Sequence, residues 1–149
     1  MAILAAVDER ERSKQVVEIA YDLATAYDEP LVVLHVIPVE TFESHKDTLS
    51  KIDGFQDFSI SQQATGAKEV ARRFVRESLD EVDWDRVEPM GRVGTVTDEI
   101  LSVSRDVEPR FLVISGRRRS PTGKAIFGNT AQDILLKAEC PVVSKLVSE

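Results

Sequence analysis

One stretch of the sequence, residues 116–130, concentrates residue types that bind phosphate. Gly116, Gly123 and Gly128 would let backbone amides approach a ligand closely. The last of these glycines precedes a predicted helix, whose free N-terminal amides and dipole favour an anion. The stretch also holds seven basic or hydroxyl side chains: Arg117, Arg118, Arg119, Lys124, Ser120, Thr122 and Thr130. This combination predicts a phosphate cradle. The alternative is that the glycines only turn the chain and the arginines only face solvent.

Two well-known phosphate motifs do not match this stretch. A Walker A loop reads G-x-x-x-x-G-K-[ST], whereas six residues separate Gly116 from Gly123, and Ala125 follows Lys124. The dinucleotide fingerprint places glycines after the first strand, where this chain has a charged run that starts at Asp8. The cradle is therefore of another type.

The elements that would position this cradle alternate along the chain. Apolar runs predict strands at 3–7, 31–37, 86–90, 111–115 and 141–146. Apolar residues spaced by three and four predict helices at 13–27, 59–80, from Thr95 or Thr97 to about 105, and 129–138. Strands alternating with helices imply a parallel sheet covered on both faces, and right-handed crossovers favour a doubly wound topology. We therefore expect an α/β fold with a five-stranded parallel sheet and helices on both faces, in a single domain over residues 1–149.

Ligands of doubly wound sheets bind beyond the carboxyl ends of the strands. Asp8 follows the first predicted strand and is a candidate contact, although its carboxylate could equally cap a helix or face solvent. Ser13 is the expected N-cap of the first helix. His35 lies within an apolar strand, which indicates a partly buried histidine with satisfied hydrogen bonds. Residues 39–59 show no period, which is typical of a lid or binding loop, and we expect them to be mobile with one short helix near the start.

The composition excludes several classes of function. With 149 residues, 42% of them hydrophobic and 30% charged, the chain falls in the globular range. A single cysteine, Cys140, excludes a disulfide framework and a zinc ribbon. The net charge of −7 argues against nucleic acid as a partner. The longest apolar run, residues 1–7, is far shorter than the ~20 residues of a membrane span, and no signal peptide is evident, so we expect a cytoplasmic protein that does not enter the membrane.

Four segments of the sequence resemble one family. They are the first strand with its trailing aspartate (3–8), the second strand with its His-Val pair (34–37), a glycine and the helix after it (91–100), and the start of the cradle (113–116). Together they resemble the universal stress protein family along the whole chain. The resemblance implies a Rossmann-like fold of the adenine nucleotide alpha hydrolase-like type, with strand order 3-2-1-4-5.

The cradle departs from the loop of the ATP-binding members of this family, which reads G-x2-G-x9-G-[ST]. Gly116 matches the first glycine and Gly128 the last, but Arg119 stands at the second. The loop is one residue shorter, and Asn129 replaces the Ser/Thr, with Thr130 adjacent.

By position, the resemblance implies ATP as the ligand, and whether magnesium accompanies it is left open. Asp8 would bind the ribose hydroxyls, Val7 would contact adenine, and Val36 would line the adenine pocket. Amides and side-chain donors would meet the phosphates at Gly116, Gly128, Asn129 and Thr130. Three further roles are our own expectation and do not come from the resemblance: Arg119, Ser120 and Lys124 would neutralise phosphate charge. Gly123 would give the loop flexibility.

These residues predict a nucleotide-binding stress-response regulator with at most slow hydrolysis. Phosphoryl transfer needs a metal-binding acid and a residue that orients the nucleophile, and only Asp8 has a clear place among the strand ends. The first alternative is a scaffold of the same family that forms a homodimer through strand 142–147 without nucleotide, because an exposed edge strand invites pairing. A nucleotide-transferring enzyme ranks last, since the required glycine-rich loop is missing after the first strand.

Overall fold

The computed structural model describes residues 1–38, 59–118 and 128–148. Within these ranges strands and helices follow one another as the apolar pattern predicts. The elements are β1 (Ile3–Val7), α1 (Arg12–Tyr27), β2 (Leu31–Pro38), α2 (Ser59–Ser78), β3 (Val87–Gly94), α3 (Val96–Val107), β4 (Phe111–Arg118), α4 (Asn129–Lys137) and β5 (Val142–Ser148). The expectations for residues 39–58 lie outside the described residues.

The strands form one sheet in the order β3-β2-β1-β4-β5, and each neighbouring pair is parallel. The predicted fold class and strand order are confirmed. Strand β1 is central: Ile3 is in register with Leu31 of β2 on one side and with Phe111 of β4 on the other. The chain leaves β1 towards one edge and later returns to β4 on the other side, so the strand order reverses at β1. In this topology the ligand site is expected beside the carboxyl end of that strand.

Alternate residues of the central strands face two separate hydrophobic cores. Ile3 and Ala5 pack with helices α1 and α2 on one face of the sheet. Leu4 packs with α3 and α4 on the other face. Because both faces are covered, β1 and β2 consist almost entirely of apolar residues, without the polar alternation of a half-exposed strand.

Two strands extend three or four residues beyond their predicted ends, and glycine is the reason in both cases. Strand β3 continues to Gly94, so Gly91, which was expected to flank a turn, lies inside the strand. Pro89 also lies inside β3, which is tolerated because β3 is an edge strand. Strand β4 continues to Arg118, so Gly116 belongs to the sheet, in register with Leu146 of β5.

An ion pair between a buried glutamate and a partly exposed arginine ties together the amino ends of the central strands. The Glu29 carboxylate, just before β2, accepts hydrogen bonds from Nε and Nη2 of Arg110, just before β4, at 3.0 and 2.8 Å. The ammonium group of Met1 lies 3.8 Å from the same carboxylate. Hydrogen bonds from Arg110 lower the pKa of Glu29 against the opposing effect of burial, with help from the charges of Arg110 and the N-terminus. The pair lies at the end of the sheet opposite the candidate site, where it connects the segments that precede β2 and β4.

We expect the Glu29 pair to make the fold sensitive to acid. Its folded-state pKa lies below the usual value of 4.5, so its stabilisation is present above that pH and is lost as the pH falls through the lower, folded-state pKa. Glu29→Gln should reduce stability at neutral pH and flatten the loss of stability on acidification, measured by urea unfolding at a series of pH values. The exposed Glu88→Gln variant is the control. An unchanged pH profile for Glu29→Gln would contradict this prediction.

Candidate functional site

A cleft with two lobes opens at the carboxyl ends of β1, β2 and β4. The lobe beside α4 (the α4 lobe) has a volume of about 360 Å³ and is bordered by Gly116, Gly128 and Thr130. The lobe beside β2 (the β2 lobe) has a volume of about 430 Å³ and is bordered by Leu34, Val36 and other residues of that strand. Both volumes lie in the range of small-molecule sites. The lobes share six lining residues: Ala6, Val7, Asp8, Arg10, Val96 and Ile100.

The α4 lobe contains the N-terminus of a helix. Gly128 is the N-cap residue in an extended conformation, and no described side chain caps the helix there. The first amides of a helix have no partner within it, so those of Asn129 and Thr130 are available to an anion. Gly116 borders the same lobe, where an added Cβ would lie 3.0 Å from Leu146 Cδ2 and 3.4 Å from Ala131 Cβ. A glycine at 116 thus lets β4 approach α4 and β5 closely.

The carboxylate of Asp8 stands between the two lobes and is held by the start of α1. Its oxygens accept hydrogen bonds from the Arg10 amide, the Ser13 hydroxyl and the Arg12 guanidinium. Burial would raise the pKa of Asp8, but the bonds from Ser13, Arg10 and Arg12 outweigh it and lower the pKa below its usual value. The carboxylate is therefore ionised at neutral pH. Its implied role in ribose binding stays a prediction.

The expectation that Ser13 caps the first helix was wrong. Helix α1 begins at Arg12, and its N-cap position is Glu11, which forms no side-chain cap. Ser13 is buried, and its hydroxyl accepts from the Asp8 amide and donates to the Asp8 carboxylate, both at 2.8 Å. Ser13 therefore fixes the turn after β1 and orients Asp8.

His35 borders the β2 lobe as a buried side chain with a satisfied nitrogen. Its Nδ1 lies 2.9 Å from the carbonyl oxygen of Val7, and because a carbonyl only accepts, Nδ1 carries the proton. Nε2 lies 3.9 Å from the Glu9 carboxylate. The expectation of a hydrogen-bonded histidine is confirmed, and the side chain is buried more fully than the partial burial expected. The ring connects the end of β2 to the end of β1.

The structure brings seven of the predicted site residues to one cleft. They are Val7, Asp8, Val36, Gly116, Gly128, Asn129 and Thr130. The other four lie outside the described residues: Arg119, Ser120, Gly123 and Lys124. The described part of α3 contributes Val96 and Ile100, and the start of α1 contributes Arg12, none of which the sequence pattern singled out. Helical spacing could not have indicated Arg12, because the helix begins at Arg12 and Asp8 lies outside it.

The comparisons with known proteins agree with this fold. The sequence matches the universal stress protein family over residues 1–144, so the chain belongs to that family. Comparison with curated proteins finds no significant match.

Three solved structures illustrate the likeness. A universal stress protein from Archaeoglobus fulgidus is 26% identical, with a TM-score of 0.58 and 97% of each chain covered. A structure of the universal stress protein from Archaeoglobus fulgidus in complex with dAMP is 22% identical, with a TM-score of 0.53, and the match covers 97% of this chain and 96% of that one. A universal stress protein in complex with cAMP is 13% identical, with a TM-score of 0.61, and the match covers 99% of this chain and 96% of that one.

The described residues also exclude two kinds of feature. None of their helices combines the length and the apolar character needed to cross a bilayer. Their histidine, cysteine and acidic side chains form no group of three that could hold a metal ion.

Proposed function

We propose that this protein binds an adenine nucleotide, ATP, in the two-lobed cleft and serves as a nucleotide-responsive regulator of the stress response. The observation that carries the proposal is the uncapped N-terminus of α4, which opens into a cleft that continues into an apolar lobe. A nucleotide needs both parts, because its phosphates are anionic and its base is flat and weakly polar. Two universal stress proteins of similar fold were solved in complex with dAMP and cAMP, which supports an adenine nucleotide.

The two lobes suit different parts of the nucleotide. The β2 lobe presents Leu34, Val36 and Ile37, whose apolar side chains favour a base. The α4 lobe presents the amides of Asn129 and Thr130, which favour phosphate oxygens. The base would thus lie beside β2 and the phosphates beside α4, with the shared region of Val7 and Ala6 beneath the sugar.

Magnesium would come to this cleft on the nucleotide. Mg²⁺ usually keeps several waters and is held by substrate phosphates with one or two carboxylates. Asp8 is the acid closest to the α4 lobe among its described lining residues, and its oxygens already accept from Ser13, Arg10 and Arg12. The described residues therefore fit a cation coordinated mainly by phosphate and water.

The same geometry favours binding over fast hydrolysis. A phosphoryl-transfer site needs a residue that orients the attacking water. His35 borders the β2 lobe, and its Nδ1 is already bonded to Val7. No histidine or unengaged carboxylate lines the described part of the α4 lobe. We therefore propose at most slow hydrolysis.

A second candidate function, a dimeric scaffold, is favoured by the β5 edge of the sheet. Strand β5 ends the sheet order, and the neighbouring helix α4 leaves Leu135 and Leu136 38% and 75% exposed. An edge strand beside exposed leucines can pair with its copy. We propose a homodimer through residues 142–147, which is compatible with nucleotide binding, since the cleft lies at the carboxyl ends of the strands.

Equilibrium dialysis with ATP and magnesium tests the proposed function. We expect up to one ATP per chain at millimolar nucleotide, with AMP bound through the same base lobe. No uptake of ATP or AMP at millimolar concentration would contradict nucleotide binding, and the dimeric scaffold would remain as the candidate function. Light scattering at micromolar protein tests the dimer, and a monomer would contradict it.

A further inference from the structure

Protein donors already engage both oxygens of the Asp8 carboxylate, whose side chain is 39% exposed. Oδ1 accepts from the amide of Arg10 at 2.9 Å and from the hydroxyl of Ser13 at 2.8 Å. Oδ2 accepts from Nε and Nη2 of Arg12 at 3.2 and 2.8 Å. A carboxylate offers about four lone-pair positions, and four protein donors fill them. A sugar hydroxyl would compete with these donors for the Asp8 carboxylate.

Arg12, in contrast, keeps donors for a ligand. A guanidinium carries five N–H groups, and Asp8 takes one from Nε and one from Nη2. No other described residue accepts a hydrogen bond from Arg12, so the remaining Nη protons are available. The side chain is only 18% exposed and lines the α4 lobe together with Asn129 and Thr130. Its guanidinium is therefore held inside the cleft by Asp8.

The charge of the cleft also favours an anion at this point. Arg10 lines both lobes, and its guanidinium makes no ion pair with a described residue. The Asp8 charge is offset by Arg12 at 2.8 Å. The described lining of the α4 lobe thus carries two arginines against one carboxylate, in a chain whose net charge is −7.

We propose that Arg12 is a ligand-contacting residue and that it makes the cleft selective for a phosphate-bearing ligand over an uncharged one. Asp8 is then a positioning residue, which holds the guanidinium in place, and the sugar diol is held elsewhere. This inference rests on the proposed function for the identity of the ligand. A phosphate oxygen would accept from the free Nη protons, in the charge-assisted and geometrically fixed contact that arginine favours.

Binding measured with paired ligands tests the assignment. Isothermal titration calorimetry would compare ATP, 2′,3′-dideoxy-ATP, adenosine and tripolyphosphate on the wild-type chain, Arg12→Gln and Arg12→Lys. The control is Arg105→Gln, which removes an equal charge from an exposed position in the last turn of α3. We expect Arg12→Gln to weaken the binding of ATP and of tripolyphosphate about tenfold or more, which is the effect of a lost charge-assisted hydrogen bond. The binding of adenosine should weaken less than about twofold. Arg12→Lys should recover part of the loss, and dideoxy-ATP should bind the wild type about as well as ATP.

The outcomes separate this inference from the proposed function. If Arg12→Gln lost equal affinity for ATP and for adenosine, Arg12 would only support the structure. If it lost no affinity for either, Arg12 would not contact the ligand. If dideoxy-ATP bound tenfold more weakly than ATP, the sugar hydroxyls would contribute to binding, and Asp8 would be their expected partner. Each of these results overturns the inference while nucleotide binding stands. Tripolyphosphate binding that depends on Arg12 without any ATP binding would instead support the inference and overturn the proposed function.

Discussion

Replacing Gly91 with alanine should destabilise the fold by about 2–3 kcal/mol, the upper part of the usual range for forcing an atom into a well-packed interior. Helix α2 lies against strand β3 at this position. An added Cβ would overlap the carbonyl oxygen of Ala64 and the amide nitrogen of Lys68, and would lie 2.8 Å from Ala67 Cβ. Two of these neighbours are backbone atoms of a helix, so they cannot turn aside as a side chain can. The helix would have to move away from the sheet.

Thermal unfolding measures this effect. For a chain of this size the loss corresponds to a midpoint lower by roughly 5–10 °C. The matched control is Gly66→Ala in the same helix, where an added Cβ meets nothing within 4 Å. That variant should be more stable than the wild type by up to about 1 kcal/mol, because glycine in a helix interior is unfavourable relative to alanine. A Gly91→Ala variant as stable as the wild type would show that α2 does not approach β3 so closely.

Replacing Ala6 with leucine should abolish most nucleotide binding while leaving the fold intact. Ala6 lines both lobes of the cleft, opposite Val96 and Ile100 of α3. A leucine side chain there would occupy the shared region with apolar atoms. We expect ATP affinity to fall at least tenfold, and stability to remain equal or to rise slightly, as is common when an open cavity is filled.

The control for this variant is Ala26→Leu. Ala26 is exposed near the end of α1, away from the cleft, and receives the same added atoms. Equilibrium dialysis with ATP, paired with thermal unfolding, separates steric exclusion from misfolding. If Ala6→Leu binds ATP as well as Ala26→Leu does, the nucleotide does not occupy the region that joins the two lobes.

The fold could be predicted because its central strands are simple in chemical terms. A strand covered on both faces must be apolar throughout, as in residues 31–37, and helices with one apolar face must lie between such strands. The strand ends were harder to predict. Glycine and proline are ordinary turn signals, yet Gly91 and Pro89 lie inside β3, where a helix approaches closely and the strand is at the sheet edge.

The candidate site could be predicted in outline and not in its detailed contacts. Strand ends gather at one edge of a parallel sheet, so Asp8 and Gly128 had to come near one another. The partners of Asp8 could not be predicted in this way. Whether its carboxylate meets a ligand or the Arg12 guanidinium depends on the direction in which α1 leaves β1, and Ser13 sets that direction by bonding to Asp8 instead of capping the helix.

Amide chemical shifts recorded during an ATP titration of the ¹⁵N-labelled chain test the central claim most directly. We predict saturable shifts at the cleft, at Val7, Val36, Gly128 and Thr130, and none at the opposite end of the sheet around Glu29 and Arg110. Shifts centred on Glu29 and Arg110, or no saturable shifts at millimolar ATP, would contradict a nucleotide site at the carboxyl edge of the sheet.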